Sequence, residues 1–215
     1  MRMSCAYDIV YLDCAKRVLG RMLDFAVYDL NYSMDEFFEL FIESGVATRF
    51  EHGDFTILAG KSGIEVAYEV LEKVQIETER VKPRFTVNRS EEYWTGWALA
   101  HYQWETALSF EEIEKFIPIH YVKALYSPYH EMDIRHFIEK MNDLYREAKP
   151  DTNLKRKRKQ VGLSQSELAE LSGIPVRTIQ QYEQRQKHIN KAQVEYLFKL
   201  SNALGCDIEC LMEKV

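Results

Sequence analysis

The sequence predicts an all-α protein in two parts, a helical domain over residues 1–149 and a smaller helical domain over 150–215. Three observations carry this. Apolar residues recur at spacings of three and four along much of the chain. Capping boxes of the Ser-x-x-Glu kind open several of the apolar runs. Composition also breaks at Pro150, where residues 1–150 hold 17 Lys and Arg against 26 Asp and Glu, net −9, and residues 151–215 hold 11 against 8, net +3. Of the 27 aromatic residues, 24 precede residue 151.

The N-terminal helices follow in order. Over residues Asp8 to Leu30, Val10, Cys14, Val18, Met22, Phe25 and Tyr28 fall at helical spacing. Ser33-Met34-Asp35-Glu36 is a capping box, in which hydroxyl and carboxylate satisfy backbone amides that a helix start leaves unpaired. The helix it opens carries Phe37, Phe38, Phe41 and Ile42 and stops before Gly45. Gly53 to Gly63 reads as a glycine-rich turn, and Ile64 to Val74 as a third helix. Glu77 to Asn88, with Val81, Pro83, Phe85 and Val87, is the one stretch that suits short extended structure. Ser90 then opens a long helix holding Trp94, Trp97 and Trp104. Ser109-Phe110-Glu111-Glu112 is another capping box, and a last helix covers about Glu131 to Glu147.

Composition sets the broad class. With 46% hydrophobic and 29% charged residues, a chain of 215 residues can bury its own core without metal or disulfide staples. Disorder along the whole chain is excluded. The N-terminus, MRMSCAYDIVYLDCAKR, has no apolar core ahead of a small-residue cleavage site, so no signal peptide is expected. No run reaches the roughly 18 apolar residues of a spanning helix. Cys5, Cys14, Cys206 and Cys210 lie at the two ends, and Cys206-x-x-x-Cys210 fits neither a CxxC redox motif nor a zinc knuckle. All four are expected as reduced, structural cysteines of a cytoplasmic protein, and Cys206 and Cys210 share one face as small hydrophobes if residues 207–211 are helical.

Signals for catalysis are weak. His130-Glu131 begins as a zinc-protease helix does, but Ile134 stands where the second His is needed and His136 comes two residues late. His101, His120 and His130 have no partner at metal-ligand spacing. Lys61-Ser62 is P-loop-like, yet Thr56 holds the place of the required Gly. No catalytic residue, metal or cofactor is predicted. The aromatic band of Tyr93, Trp94, Trp97, Tyr102 and Trp104 reads first as core, and its exposed share would suit a protein partner.

The basic domain carries the strongest signal. Pro150 disfavours helix at Lys149, and Asp151 or Thr152 can cap a new helix. That helix holds the cationic run Lys155-Arg156-Lys157-Arg158-Lys159, with Lys157 on a Leu154/Val161 stripe where its stem lies along the core. Ser164-Gln165-Ser166-Glu167 is a capping box for a short helix, Gln165 to Ser172, that ends at Gly173. After Ile174-Pro175 a second helix runs from Val176 to about Glu183, which is the signature of a helix-turn-helix. Leu168, Ala169, Ile174 and Ile179 would meet across the turn. Asn190-Lys191-Ala192-Gln193 offers a capping box for a fourth helix to Leu204, ended by Gly205, and residues 207–211 supply a final turn.

The run Leu163-Ser164-Gln165-Ser166-Glu167-Leu168-Ala169-Glu170-Leu171-Ser172-Gly173-Ile174, with Arg177-Thr178-Ile179 and Tyr182-Glu183, closely resembles the Cro/cI-type (XRE, lambda-repressor-like) helix-turn-helix family. Lys199 to Cys206 resembles that family's fourth and fifth helices. The resemblance implies a five-helix, lambda-repressor-like domain over 150–215 that binds double-stranded operator DNA as a homodimer. It places Val176, Arg177 and Gln181 at base edges in the major groove, with Thr178 and Gln180 near the backbone. Gln165 would meet a phosphate at a helix N-terminus. Lys155, Arg156 and Arg158 would neutralise phosphates, with Lys187 a further contact. Two departures stand out. Pro175 replaces the family's hydroxyl cap, and Arg185-Gln186-Lys187 stands where a glycine turn is common, so either the helix runs longer or a non-glycine residue takes the turn.

Over its full length the chain is also similar to regulators encoded beside an ADP-ribosyltransferase-like toxin, on a pattern such as Asp35-Glu36-Phe37-Phe38-Glu39-Leu40-Phe41-Ile42. That likeness implies an antitoxin-like autorepressor whose acidic domain binds a cognate toxin or other protein. The alternative is an interaction protein whose helix-turn-helix serves assembly. No membrane association is expected. The overall charge of −6 argues against nucleic acid on its face, but its division leaves the positive share on the helix-turn-helix.

Overall fold

The computed structural model describes residues 5–84 and 89–213. The chain divides into two compact units, Met1–Ala148 and Lys149–Val215, and the described residues hold helices and no strand.

The acidic unit is built around one buried helix. Asp8 accepts from the Val10 amide and starts a 3-10 turn, Ile9–Tyr11, which leads into α1, Leu12–Tyr28. The expected helix is therefore shorter at both ends, and Val10 and Tyr28 are exposed rather than part of the stripe. Between them α1 is covered on most sides, with Ala15, Leu19, Met22, Leu23, Phe25 and Ala26 all at 0% exposure. Glycines permit this. A Cβ on Gly20 would meet the Tyr93 carbonyl oxygen at 2.7 Å, and one on Gly96 would meet the Leu19 carbonyl oxygen at 2.6 Å. Two backbones thus touch where α1 crosses α6, Glu91–Thr106.

The capping box at Ser33 forms as expected and opens α2, Met34–Glu43. Gly45, at φ 74°, turns the chain into α3, Val46–Glu51, a helix the sequence pattern had not marked. The stretch Gly53 to Gly63 is likewise more than a turn. Asp54 accepts from the Thr56 amide at 2.9 Å and caps α4, Phe55–Leu58. Ser62 and Glu65 then form a capping box on α5, Gly63–Lys73.

Residues 77–84 do not form a strand. No strand among the described residues lies beside them to pair with, and two of their amides bond to side chains. Val81 N donates to the Tyr68 hydroxyl at 2.9 Å and Arg84 N to Asp29 at 2.7 Å. Phe85 and Val87 fall outside the described residues.

After α6 come α7, Phe110–Phe116, α8, Ile119–Ala124, α9, Tyr126–Tyr129, and α10, Ile134–Ala148. The last begins three residues later than its sequence pattern suggests. Phe110 packs against Phe38, Phe41 and Phe50 with ring centroids 5.9, 5.4 and 5.6 Å apart, which ties α2, α3 and α7 together. Tyr102 is fully buried, Trp94 and Trp97 are partly buried against the core, and Trp104 is half-buried.

The basic unit contains α11, Asn153–Val161, α12, Gln165–Ser172, α13, Val176–Glu183, and α14, Val194–Leu204. A 3-10 turn, Ile208–Cys210, takes the place of the fifth helix. Leu154, Leu168, Ile174, Ile179, Leu200 and Leu211 form its core. Three expectations change here. Asn190 does not cap α14, because its side chain bonds the Glu213 backbone, and Gln193 is the N-cap with no side-chain bond. Val161 is 49% exposed, so the inward stripe of α11 is Leu154 and Arg158, with Lys157 half-buried beside it. The four cysteines are free, but Cys5 and Cys210 are exposed rather than packed.

Candidate nucleic-acid interface

The α12–turn–α13 geometry is set by short-range chemistry. Ser164 and Glu167 close a capping box on α12, and Gly173 ends it at φ 65°, a conformation that costs glycine little. Pro175 then caps α13 without a side-chain bond, its fixed φ suiting the start of a helix. Leu168, Ile174 and Ile179 are all buried across the turn, with Ala169 packed beside them.

At the far end of α13 the chain turns on Arg185, which adopts φ 56°. The helix does not run on, so a non-glycine residue takes the turn. Its left-handed conformation is held by a bond from the guanidinium to the Pro150 carbonyl at 2.9 Å and by Glu213 at 3.6 Å.

A buried polar network joins three helices. Arg158 on α11 donates from Nε and Nη2 to the two Glu183 oxygens on α13, at 2.6 and 2.9 Å. Its Nη1 donates to the Leu163 carbonyl at 2.6 Å. Gln165 at the start of α12 donates to Glu183 at 2.7 Å, and Gln180 to Gln165 at 3.4 Å. Arg158 and Glu183 are only 8% and 6% exposed. The Glu183 hydrogen bond raises the Arg158 pKa against the effect of burial. Arg158, expected at the phosphates, is thus turned inward, because the stripe of α11 that faces α13 passes through it.

The remaining cations divide in two. Lys155 and Lys159 sit on Asp151, at 2.6 and 2.8 Å, and the Lys155 bond, then the Lys159 bond, lowers the Asp151 carboxyl to about 2. Arg156 is exposed and leans on the Asn153 side chain. On α13, Val176 and Arg177 are exposed in the first turn, while Thr178, Gln180 and Gln181 are half-buried. Arg177 and Lys187 make no ion pair among the described residues, and both are exposed. Arg177 and Gln181, four apart, share one face of α13. The structure therefore brings Gln165 and Gln180 together, leaves Arg156, Val176, Arg177 and Lys187 at the surface, and draws Arg158 into the domain. Sequence reading missed the acidic partners, Asp151 and Glu183. Asp151 stands four residues before Lys155, a helical spacing that signals a pair, whereas Glu183 lies 25 residues beyond Arg158 and leaves no local signal.

Among the described residues, no group of His, Cys, Asp and Glu is placed to hold a metal ion, and no helix is long and apolar enough to cross a membrane. No curated protein and no solved structure matches the chain. Residues 154–209 match the family model described as helix-turn-helix. The family match and the capped α12–turn–α13 pair agree: the C-terminal unit is a Cro/cI-type helix-turn-helix domain, and the protein is a DNA-binding regulator.

Proposed function

We propose that the protein reads a specific operator as a homodimer and represses its own operon, while the acidic unit binds a protein partner such as a cognate toxin. The observation that carries the operator reading is the first turn of α13. Val176 and Arg177 are exposed there, beside Gln165 and Gln180 already bonded to each other. Arg can bond two acceptors of guanine, Gln can pair with adenine, and Val can contact a thymine methyl. In this reading Arg177 and Gln181 address bases, Thr178, Gln165, Arg156 and Lys187 address the backbone, and Lys155 reaches a phosphate only on leaving Asp151. One unit covers one half-site, so a dimer needs half-sites about 34 Å apart or a multiple of that.

The test is footprinting on the gene's own promoter, with and without the product of the adjacent gene. Arg177→Ala should cost about 1–3 kcal/mol and relax preference at one base pair. An unchanged base preference in that variant would remove Arg177 from the groove. Protection that is unaffected by the neighbouring product would count against the toxin partnership.

A further inference from the structure

The acidic unit contains a cavity that the DNA-binding reading does not use. It has a volume of about 280 Å³, near the lower end of small-molecule sites. Aromatic side chains from two parts of the fold wall it: Tyr93, Trp94 and Trp97 from the first two turns of α6, and Tyr126 and Tyr129 from α9. Met132 and Ile134 complete the apolar lining.

These walls are held in place. The Trp94 ring meets Tyr126 edge-on at 5.5 Å and Phe137 at 5.3 Å. Tyr126 is stacked on His130 with centroids 4.3 Å apart and planes 19° from parallel. The His130 Nδ1 lies 3.0 Å from the Tyr126 carbonyl, which can only accept, so that nitrogen carries a proton. Edge-to-face and stacked contacts of this kind hold rings at fixed angles and leave flat faces available to a guest.

The polar lining has one sign. Arg89, exposed, carries a permanent positive charge, and among the described residues no carboxylate lines the cavity. Its guanidinium lies over the Tyr93 ring, 4.6 Å from the centroid, and makes no ion pair among the described residues. A stacked guanidinium keeps its N–H edge free for a carboxylate or phosphate. A second cation, Lys16, lies 4.7 Å from the Trp97 centroid but is held by Asp13 at 2.7 Å. Glu131 lies 3.7 Å from His130 Nε2, and its side chain is 87% exposed and able to turn to solvent.

We propose that this cavity is a binding site for a small planar aromatic anion, its ring packed among Trp94, Trp97 and Tyr129 and its charged group on Arg89. The aromatic faces supply dispersion and exclude water, and the guanidinium supplies orientation. The site stands whether or not the helix-turn-helix reads an operator as proposed.

Calorimetric titration of the full chain with benzoate, indole-3-carboxylate and naphthalene-2-carboxylate tests it, with naphthalene-2-carboxamide as the uncharged counterpart. At least one anion should bind at a single site. The naphthoate should bind about tenfold tighter than its amide, equivalent to about 1.4 kcal/mol. Arg89→Gln, at an exposed position, should abolish that difference and leave amide binding intact. Met132→Trp, which fills the cavity from a position 54% exposed, should abolish binding of both. No binding by any of the three anions at millimolar concentration would overturn the proposal. So would equal affinity for naphthoate and amide, or binding that neither variant alters.

Discussion

Replacing Arg158 by Ala should unfold the basic unit rather than weaken its grip on DNA. The guanidinium makes three hydrogen bonds, two to Glu183 and one to the Leu163 carbonyl, with its side chain 10% exposed and that of Glu183 1% exposed. Truncation leaves a buried carboxylate with Gln165 as its remaining bonded partner. Breaking a buried pair from one side costs about 3–5 kcal/mol. A unit of this size has about 3–10 kcal/mol in total, at about 0.05–0.15 kcal/mol per residue. Each kcal/mol is worth about 4–8 °C in such a domain, so its Tm should fall by at least about 12 °C.

The assay is built into the sequence. Trp94, Trp97 and Trp104 are the protein's three tryptophans and all lie in the acidic unit, so tryptophan emission follows that unit. Far-ultraviolet circular dichroism follows both. Arg158→Ala should add an early step to the dichroism melt and leave the emission melt unchanged. Arg158→Met combined with Glu183→Leu removes both charges and should recover most of the loss. A near-normal melt in Arg158→Ala, joined to a shallower salt dependence of DNA binding, would refute the internal role and return Arg158 to the phosphates.

Asp151→Asn should release Lys155 and Lys159 and strengthen DNA binding, steepening the salt slope by about 0.9 for each phosphate gained; an unchanged slope would place both lysines away from DNA. Gly96→Ala should destabilise the acidic unit by about 1–3 kcal/mol, read by tryptophan emission, although alanine normally favours a helix interior, because its methyl would meet the Leu19 carbonyl oxygen at 2.6 Å. Burial, with Asp35 and Glu39 nearby, raises the Glu114 carboxyl to about 7 against the pull of the Ile119 amide and His120. The folded unit therefore binds more protons than the unfolded chain between about pH 4.3 and 7, and its stability falls as pH rises through that window. Glu114→Gln should flatten the dependence of Tm on pH there, and an unaltered slope would assign it to another group.

Much of the fold was legible because its signals are local. A capping box joins residues three apart, and a left-handed glycine stops a helix by its own conformation, so Ser33, Ser164, Gly173 and Gly205 bear on structure within one turn. The helix-turn-helix was readable for the same reason, since its two helices and their turn fit within about twenty residues. Asn190 shows where such reading fails. It looks like a cap by spacing, but a carbonyl and an amide 23 residues away claim its side chain.

By itself, then, the sequence determined most of the longer helices, the break at Pro150, the division of charge and the helix-turn-helix. The tertiary structure decided which charges are free. Five adjacent cations look alike in sequence, yet Arg158 is spent on Glu183, 25 residues on, and Lys155 and Lys159 on Asp151. It also decided why Gly20 and Gly96, 76 residues apart, occupy helix interiors, and it gathered Arg89, Trp94 and Tyr129 around one cavity. Propensity and capping act along the chain within a turn, whereas burial, ion pairing and close backbone approach depend on what another segment brings alongside.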